Sequence, residues 1–387
     1  MSLAGLSLAC LTAALVLWAS NRGLSEASPS LERLSKADQA RLAEALHLKA
    51  SLGGEVWPGF GEADIPIILF NEANALLIGY SDPPAGWRKQ PAGTLFGSGW
   101  QSVAGEEFDG QPIYSQALSS QQDSPGNFTV LVGEDWAASM TTKDWTEIGL
   151  RQQLRQELPP GLSAVFPYRW FIPALVRGSD GYIALLLHEA FHAYTAQHAE
   201  KKLLASEETN RLLQDDYPWD DAALQADWQT ELDLLAQAMR AAWSEAPQAE
   251  VVALAQEFLD HRDARRQAAG LSSELNDFER QREWLEGLAR YAELGIWRAA
   301  WLDADYSSLP EAQALADFHS YQGFERRWQE EIDQIKRMAD DRGDGRFYYS
   351  GLAQAVLLDR LFPGWKETAM QDGIWLEDLL RQALERQ

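Results

Sequence analysis

From about residue 175 to the C-terminus, apolar residues recur at the 3.6-residue spacing of an amphipathic helix, and this limits the possible fold more than any other feature. The spacing predicts helices over 183–205, 221–243, 246–267, 273–301, 324–338 and 351–361. Residues 55–165 read differently, with frequent Gly, Pro and Trp and only short apolar runs. Within them 65–70 and 75–80 are predicted strands with 71–74 as the turn between them, and 128–132 is a third strand. Residues 82–84 and 124–127 carry the Pro, Gly, Asn and Asp of loops. The expected class is α+β, a β-rich mixed region packed on a mainly helical one. Residues 28–54 would supply a linker and an N-terminal helix, 55–165 the mixed region and 166–387 the helical domain.

Residues 3–19 carry no charge and are mostly Leu, Ala, Val and Trp. That length is at the lower limit for spanning a bilayer and a little long for a signal-peptide core. Residues 1–27 therefore read as either a signal peptide or an N-terminal membrane anchor, which implies an extracytoplasmic protein: periplasmic, secreted or membrane-anchored. Cys10, after Leu8-Ala9, faintly resembles a lipoprotein acylation site.

The chain has 58 Asp and Glu against 33 Lys and Arg, a net charge of −25. No basic footprint for a nucleic acid is visible, and the net charge argues against anionic lipid surfaces as well. Cys10 is the only cysteine, which rules out intramolecular disulfides and a Cys nucleophile in the body of the chain. A metal there must be held by His, Asp or Glu.

His188-Glu189-Ala190-Phe191-His192 supplies such ligands as H-E-x-x-H, preceded by Leu185-Leu186-Leu187. On a helix, residues four apart differ by about 40° and one turn, so both imidazoles point at one spot. Two neutral imidazoles so placed can bind Zn²⁺, and Glu189 beside them is placed to take a proton from metal-activated water. A catalytic zinc needs a third protein ligand and an open position. His198 completes the H-E-x-x-H-x-x-x-x-x-H spacing of the metzincins, but Thr195 stands where that clan has a helix-breaking Gly. If the helix continues, His198 points away from the pair.

The other candidate is Glu286, in Trp284-Leu285-Glu286-Gly287-Leu288-Ala289-Arg290-Tyr291-Ala292-Glu293. An H-E-x-x-H followed on a later helix by this pattern resembles the gluzincin zinc metallopeptidases, above all the aminopeptidase N-like clan. The resemblance implies Glu286 as third zinc ligand, with Gly287 letting its helix approach the H-E-x-x-H helix closely. Glu293 lies two turns on along the same face, where it can either orient a zinc-bound His or simply pair with a neighbouring Arg. In Phe347-Tyr348-Tyr349-Ser350-Gly351 the same family carries a Tyr three residues before a Gly, so Tyr348 would hydrogen-bond the oxyanion, with Tyr349 and Tyr321 as rivals. The resemblance spans three short stretches of residues 180–365. The G-x-M-E-N motif that holds a free α-amino group is absent, and 166–387 becomes a metallopeptidase-like, zincin-like catalytic domain of an uncharacterised branch.

The resulting expectation is a zinc hydrolase acting on a peptide or protein substrate. His188, His192 and Glu286 would hold the metal, Glu189 would be the general base and Tyr348 would support the oxyanion. The alternative is a catalytically silent, metal-stabilised extracytoplasmic binding protein. A fourth protein ligand would mark that case.

Overall fold

A computed structural model describes the backbone of residues 3–387 and the side chains from Thr12 onward, Gln121 excepted. The architecture is α+β, 59 % helical, with an eight-stranded curled sheet in the N-terminal region. Helices α1 (Leu3–Asn21) and α2 (Lys36–Val56) precede the sheet. Its strands are β1 (Ile67–Phe70), β2 (Asn74–Ile78), β3 (Trp87–Lys89), β4 (Thr94–Phe96), β5 (Gln101–Phe108), β6 (Gln111–Ala117), β7 (Phe128–Val132) and β8 (Asp135–Thr141). Three helices follow: α3 (Lys143–Glu157), α4 (Pro160–Val165) and α5 (Tyr168–Val176). The helical body comprises α6 (Ser179–Leu213), α7 (Ala222–Trp243), α8 (Gln248–Ala268), α9 (Ser273–Leu302), α10 (Pro310–Gln313), α11 (Phe324–Ile335), α12 (Gly345–Leu361), α13 (Trp365–Ala369) and α14 (Leu376–Glu385).

The run 1–27, read as a signal peptide or anchor, contains α1. The side chain of Cys10 lies outside the described residues, and so does its reading as an acylation site. Among the described residues no helix is long and apolar enough to cross a membrane.

The strand order is β4-β3-β7-β8-β1-β2-β6-β5, with β1 and β8 parallel and every other pair antiparallel. Asn71 makes the β1–β2 turn, because its Oδ1 accepts from the backbone N–H of Ala73 (2.8 Å) and Asn74 (2.9 Å). The run Ile67-Ile68-Leu69-Phe70 is continuous rather than alternating because both its faces are buried. Ile67 and Leu69 join the main core under the helices, whereas Ile68 and Phe70 join a smaller cluster around Trp87, Val130 and Val132.

The main core lies between the sheet and the helical body. Helix α6 packs on β7 and β8, and α9 packs on α6 and α12. Strand β8 escapes a β-propensity reading because Ala137, Ala138 and Ser139 are small, which suits a strand lying directly beneath a helix. Tyr182 of α6 fastens the two, its hydroxyl donating to the Thr141 carbonyl at 2.7 Å.

The structure changes one expectation about Gly287. It meets α12, not the H-E-x-x-H helix: a Cβ there would lie 2.6 Å from the Gly351 carbonyl carbon, and one on Gly351 would lie 2.8 Å from Gly287 Cα. Neighbouring residues on a helix are 100° apart, so Glu286 can face α6 only if Gly287 faces elsewhere. The glycine pair sets the α9–α12 spacing and so brings Tyr348, in the first turn of α12, beside α6.

Candidate metal centre

Helix α6 carries both histidines on its buried face, and α9 brings Glu286 against them. The three are buried, with 1 % of His192 and 4 % of Glu286 exposed. His188 Nε2 and His192 Nε2 are 3.1 Å apart, and Glu286 Oε2 lies 3.7 Å and 3.4 Å from them. A triangle with those sides has a circumscribed radius of about 2.0 Å, a metal–ligand bond length. Glu286 Oε2 accepts no hydrogen bond, although it is fully buried. Such an orphan is costly unless a cation takes its lone pairs. This His-His-Glu group could hold a metal ion, and among the described residues no fourth His, Asp or Glu joins it.

A second layer of side chains fixes the first. Arg282 donates to Glu286 Oε1 at 2.6 Å, which leaves Oε2 turned to the imidazoles. Arg282 is itself held by Glu207 (2.7 Å) and Asp344 (2.9 Å). Asp344 lies in the Asp/Gly-rich turn before α12, so that turn also anchors Arg282. On the other side, Glu293 Oε2 lies 3.5 Å from His188 Nδ1, and Arg290 grips Glu293 at 2.6 and 2.7 Å and Glu331 at 2.5 Å. A neutral His188 with its Nδ1 proton toward Glu293 would turn its Nε2 lone pair to the ligand group. Phe128 of β7 packs on the His192 ring, with centroids 4.7 Å apart, and the Tyr348 ring stacks on His188 at 5.3 Å and 10°.

Burial opposes every charge here, and the partners decide which survive. Burial alone would push the Glu286 carboxyl up, but Arg282 and the two imidazoles hold it well below the usual carboxylate range. His188 is pushed up to about 9: burial works against its protonation, but Glu286 and Glu293 outweigh it. Burial takes His192 down to about 4, further than the Glu286 charge can restore it. Glu189 is driven up to about 8 by burial, assisted by the negative charges of Glu286 and Glu293. Its Oε2 is also buried without a hydrogen-bond partner. The phenol of Tyr348 is raised well above 10, first by burial and then by the nearby carboxylates of Glu286 and Glu189.

The remaining candidates lie apart from the ligand group. His198 is exposed, stacks on Tyr194 at 4.1 Å and directs Nδ1 at the Tyr194 carbonyl, 2.8 Å away. Helix α6 runs past Thr195 without reversing and breaks only at Ala199, whose φ of −141° and ψ of 42° are non-helical. Tyr349 lies over Arg290, and Tyr321 packs against Trp297, Phe318 and Tyr306. Sequence reasoning missed Arg282, Asp344 and Phe128. The spacing of Arg282 and Glu286 at i and i+4 was a usable signal, whereas Asp344 and Phe128 arrive only through tertiary contact. Comparison with known proteins finds no matching family model, no matching curated protein and no matching solved structure.

Proposed function

We propose that the chain is a zinc-dependent hydrolase of peptide bonds, acting on a peptide or protein outside the cytoplasm or at a membrane. The observation that carries this reading is the convergence of His188 Nε2, His192 Nε2 and the unpartnered Glu286 Oε2 beside a second buried acid, Glu189, that is no part of the group. Nitrogen and oxygen donors in a three-ligand set match a catalytic zinc more closely than the four-ligand structural kind. Zinc bound there would acidify a water and polarise a carbonyl.

The protein's residues have distinct tasks in this scheme. Glu189, with a buried carboxylate oxygen that has no other partner, takes the proton of the attacking water and returns it to the leaving amine. Tyr348 keeps its phenol proton across the working pH range and donates a hydrogen bond to the developing oxyanion without adding charge. Arg282 and Glu293 hold Glu286 and His188 in register. Phe128 shields His192 from bulk water.

Depth of burial favours a second reading, a silent protein that keeps its ion as a staple. The two separate in one experiment on wild type and Glu189→Gln, comparing metal content with digestion of a peptide library. Under the enzyme reading both proteins hold the metal and only wild type cleaves. Absence of cleavage by metal-loaded wild type would favour the staple, and cleavage at wild-type rate by Glu189→Gln would remove Glu189 as base.

A further inference from the structure

Seven of the twelve large apolar side chains that stand exposed among the described residues lie on α1, α4 and α5, which together make up fewer than a tenth of the chain. They are Leu15, Val16 and Trp18 on α1, Leu162 on α4, and Trp170, Phe171 and Leu175 on α5. Helix α1 packs on both α4 and α5. The Asn21 amide ties the end of α1 to the α4–α5 turn, donating to the carbonyls of Ala164 (3.2 Å) and Phe166 (2.9 Å). The exposed side chains therefore form one patch rather than scattered singles, and such patches mark interaction surfaces.

Helix α5 is apolar on both sides. Tyr168 and Ile172 face inward, while Trp170, at 56 % exposure, Phe171 and Leu175 face outward. A helix apolar all round is expected to be covered on both sides. Charge identifies the cover. Residues 1–25 and 158–178 contain three arginines, Arg22, Arg169 and Arg177, and no acidic residue, in a chain whose net charge is −25. Trp, Phe and Leu beside Arg, on short helices next to an uncharged apolar helix, is the composition of a segment lying in the headgroup zone of a bilayer.

We propose that the α4–α5 hairpin is a membrane-contact surface that dips into an anionic lipid bilayer alongside α1, so that the domain sits against the membrane at two points. The overall negative charge, which argues against anionic lipid for the chain as a whole, is absent from these two stretches of the sequence. The proposal is independent of the metal centre.

The test uses the full chain with Cys10→Ser and Leu175→Cys, the new thiol carrying an environment-sensitive fluorophore. Vesicles are phosphatidylcholine alone or phosphatidylcholine mixed with phosphatidylglycerol. The expected result is a blue shift of the label and its quenching by spin-labelled acyl chains on the mixed vesicles. A control label at exposed Gln237, on α7, should not respond. Adding Trp170→Ser and Phe171→Ser should cut the labelled protein's partitioning about tenfold or more. Arg169→Gln should cut binding to mixed vesicles about fivefold, the equivalent of one basic residue near a charged surface, and spare the neutral ones. A label at 175 that stays aqueous on both vesicles overturns the proposal, even if α1 alone brings the protein to the lipid. Equal partitioning of the Trp170→Ser, Phe171→Ser variant and its parent overturns it too.

Discussion

Helix α9 carries two adjoining buried charged clusters, and they are built on opposite principles. Toward its N-terminal end, Glu279 and Glu283 join Glu231 and Glu377 around Arg262, Arg265 and Arg266. Every carboxylate oxygen in that lattice accepts a hydrogen bond: Glu231 from Arg262 and Arg265, Glu279 from Arg265, Arg266 and Tyr217, Glu283 from Arg262 and Ser350, and Glu377 from Arg262, Arg266 and Arg381. One turn further on, Glu286 has one oxygen satisfied by Arg282 and the other unpaired among imidazoles. Two clusters on one helix, equally buried, thus differ in whether the protein completes its own charge pairing. A closed lattice has no vacancy for a ligand, whereas the open one lacks only a cation.

The sharpest way to break this contrast is to open the closed cluster. Arg262→Ala leaves Glu283 buried with no ion-pair partner and Glu231 with Arg265 alone, and should destabilise the fold by about 3–5 kcal/mol, read as a loss in calorimetric melting. Glu286→Gln should cost the metal-free protein less, because Arg282 keeps Glu207 and Asp344 as partners and can still donate to the new carbonyl. Equal losses for the two would erase the distinction.

Acid acts on the closed cluster in the same direction. Glu377 is held down at about 2: burial works against its charge, but Arg266 and Arg262 prevail. A carboxylate whose folded value lies below its unfolded one contributes stability that is complete above the unfolded value and is lost as pH falls through the folded one. The window is therefore from about pH 4.5 down to 2, and this one group accounts for on the order of 3 kcal/mol. Denaturant unfolding at pH 7, 4 and 3 should show the decline, and Glu377→Gln should flatten it.

The open cluster is probed by its second layer. Arg282→Gln and Glu293→Gln should each weaken metal binding about 10–100-fold in a chelator competition, and should lower melting as well because each breaks a buried ion pair. His198→Ala should change neither, since the exposed ring lies outside the group. The glycine contact serves both clusters, because Gly351 lies against the Glu283 backbone and Gly287 adjoins Glu286. Gly351→Ala should force α9 and α12 apart at a cost of about 1–3 kcal/mol, with metal affinity falling alongside.

How much of this was legible in the sequence follows from how local each signal is. His188 and His192 share a helix, so four-residue spacing alone aligns them. Glu286 lies far along the chain and became visible only through its Gly287 neighbour and the resemblance that pair carries. Asp221 and Ser272 cap α7 and α9 with their own side chains, which is why those helices begin within a residue of their expected starts. Strands β5 and β6 were not legible: β5 is mostly exposed, so neither of its faces shows apolar alternation. Tertiary packing hid α5 as well, since its apolar residues surround the helix and leave no stripe to read. The Arg–Glu lattice was equally hidden, for its members lie on four separate helices, α7, α8, α9 and α14, and only tertiary packing brings them together.

The most direct test of the account is metal analysis of purified wild type beside Glu286→Gln and His192→Ala, after dialysis against a weak chelator. Wild type is predicted to retain about one zinc per chain and each variant close to none, with all three folded. A wild-type chain that binds no divalent metal, or variants that hold as much as wild type, would contradict it.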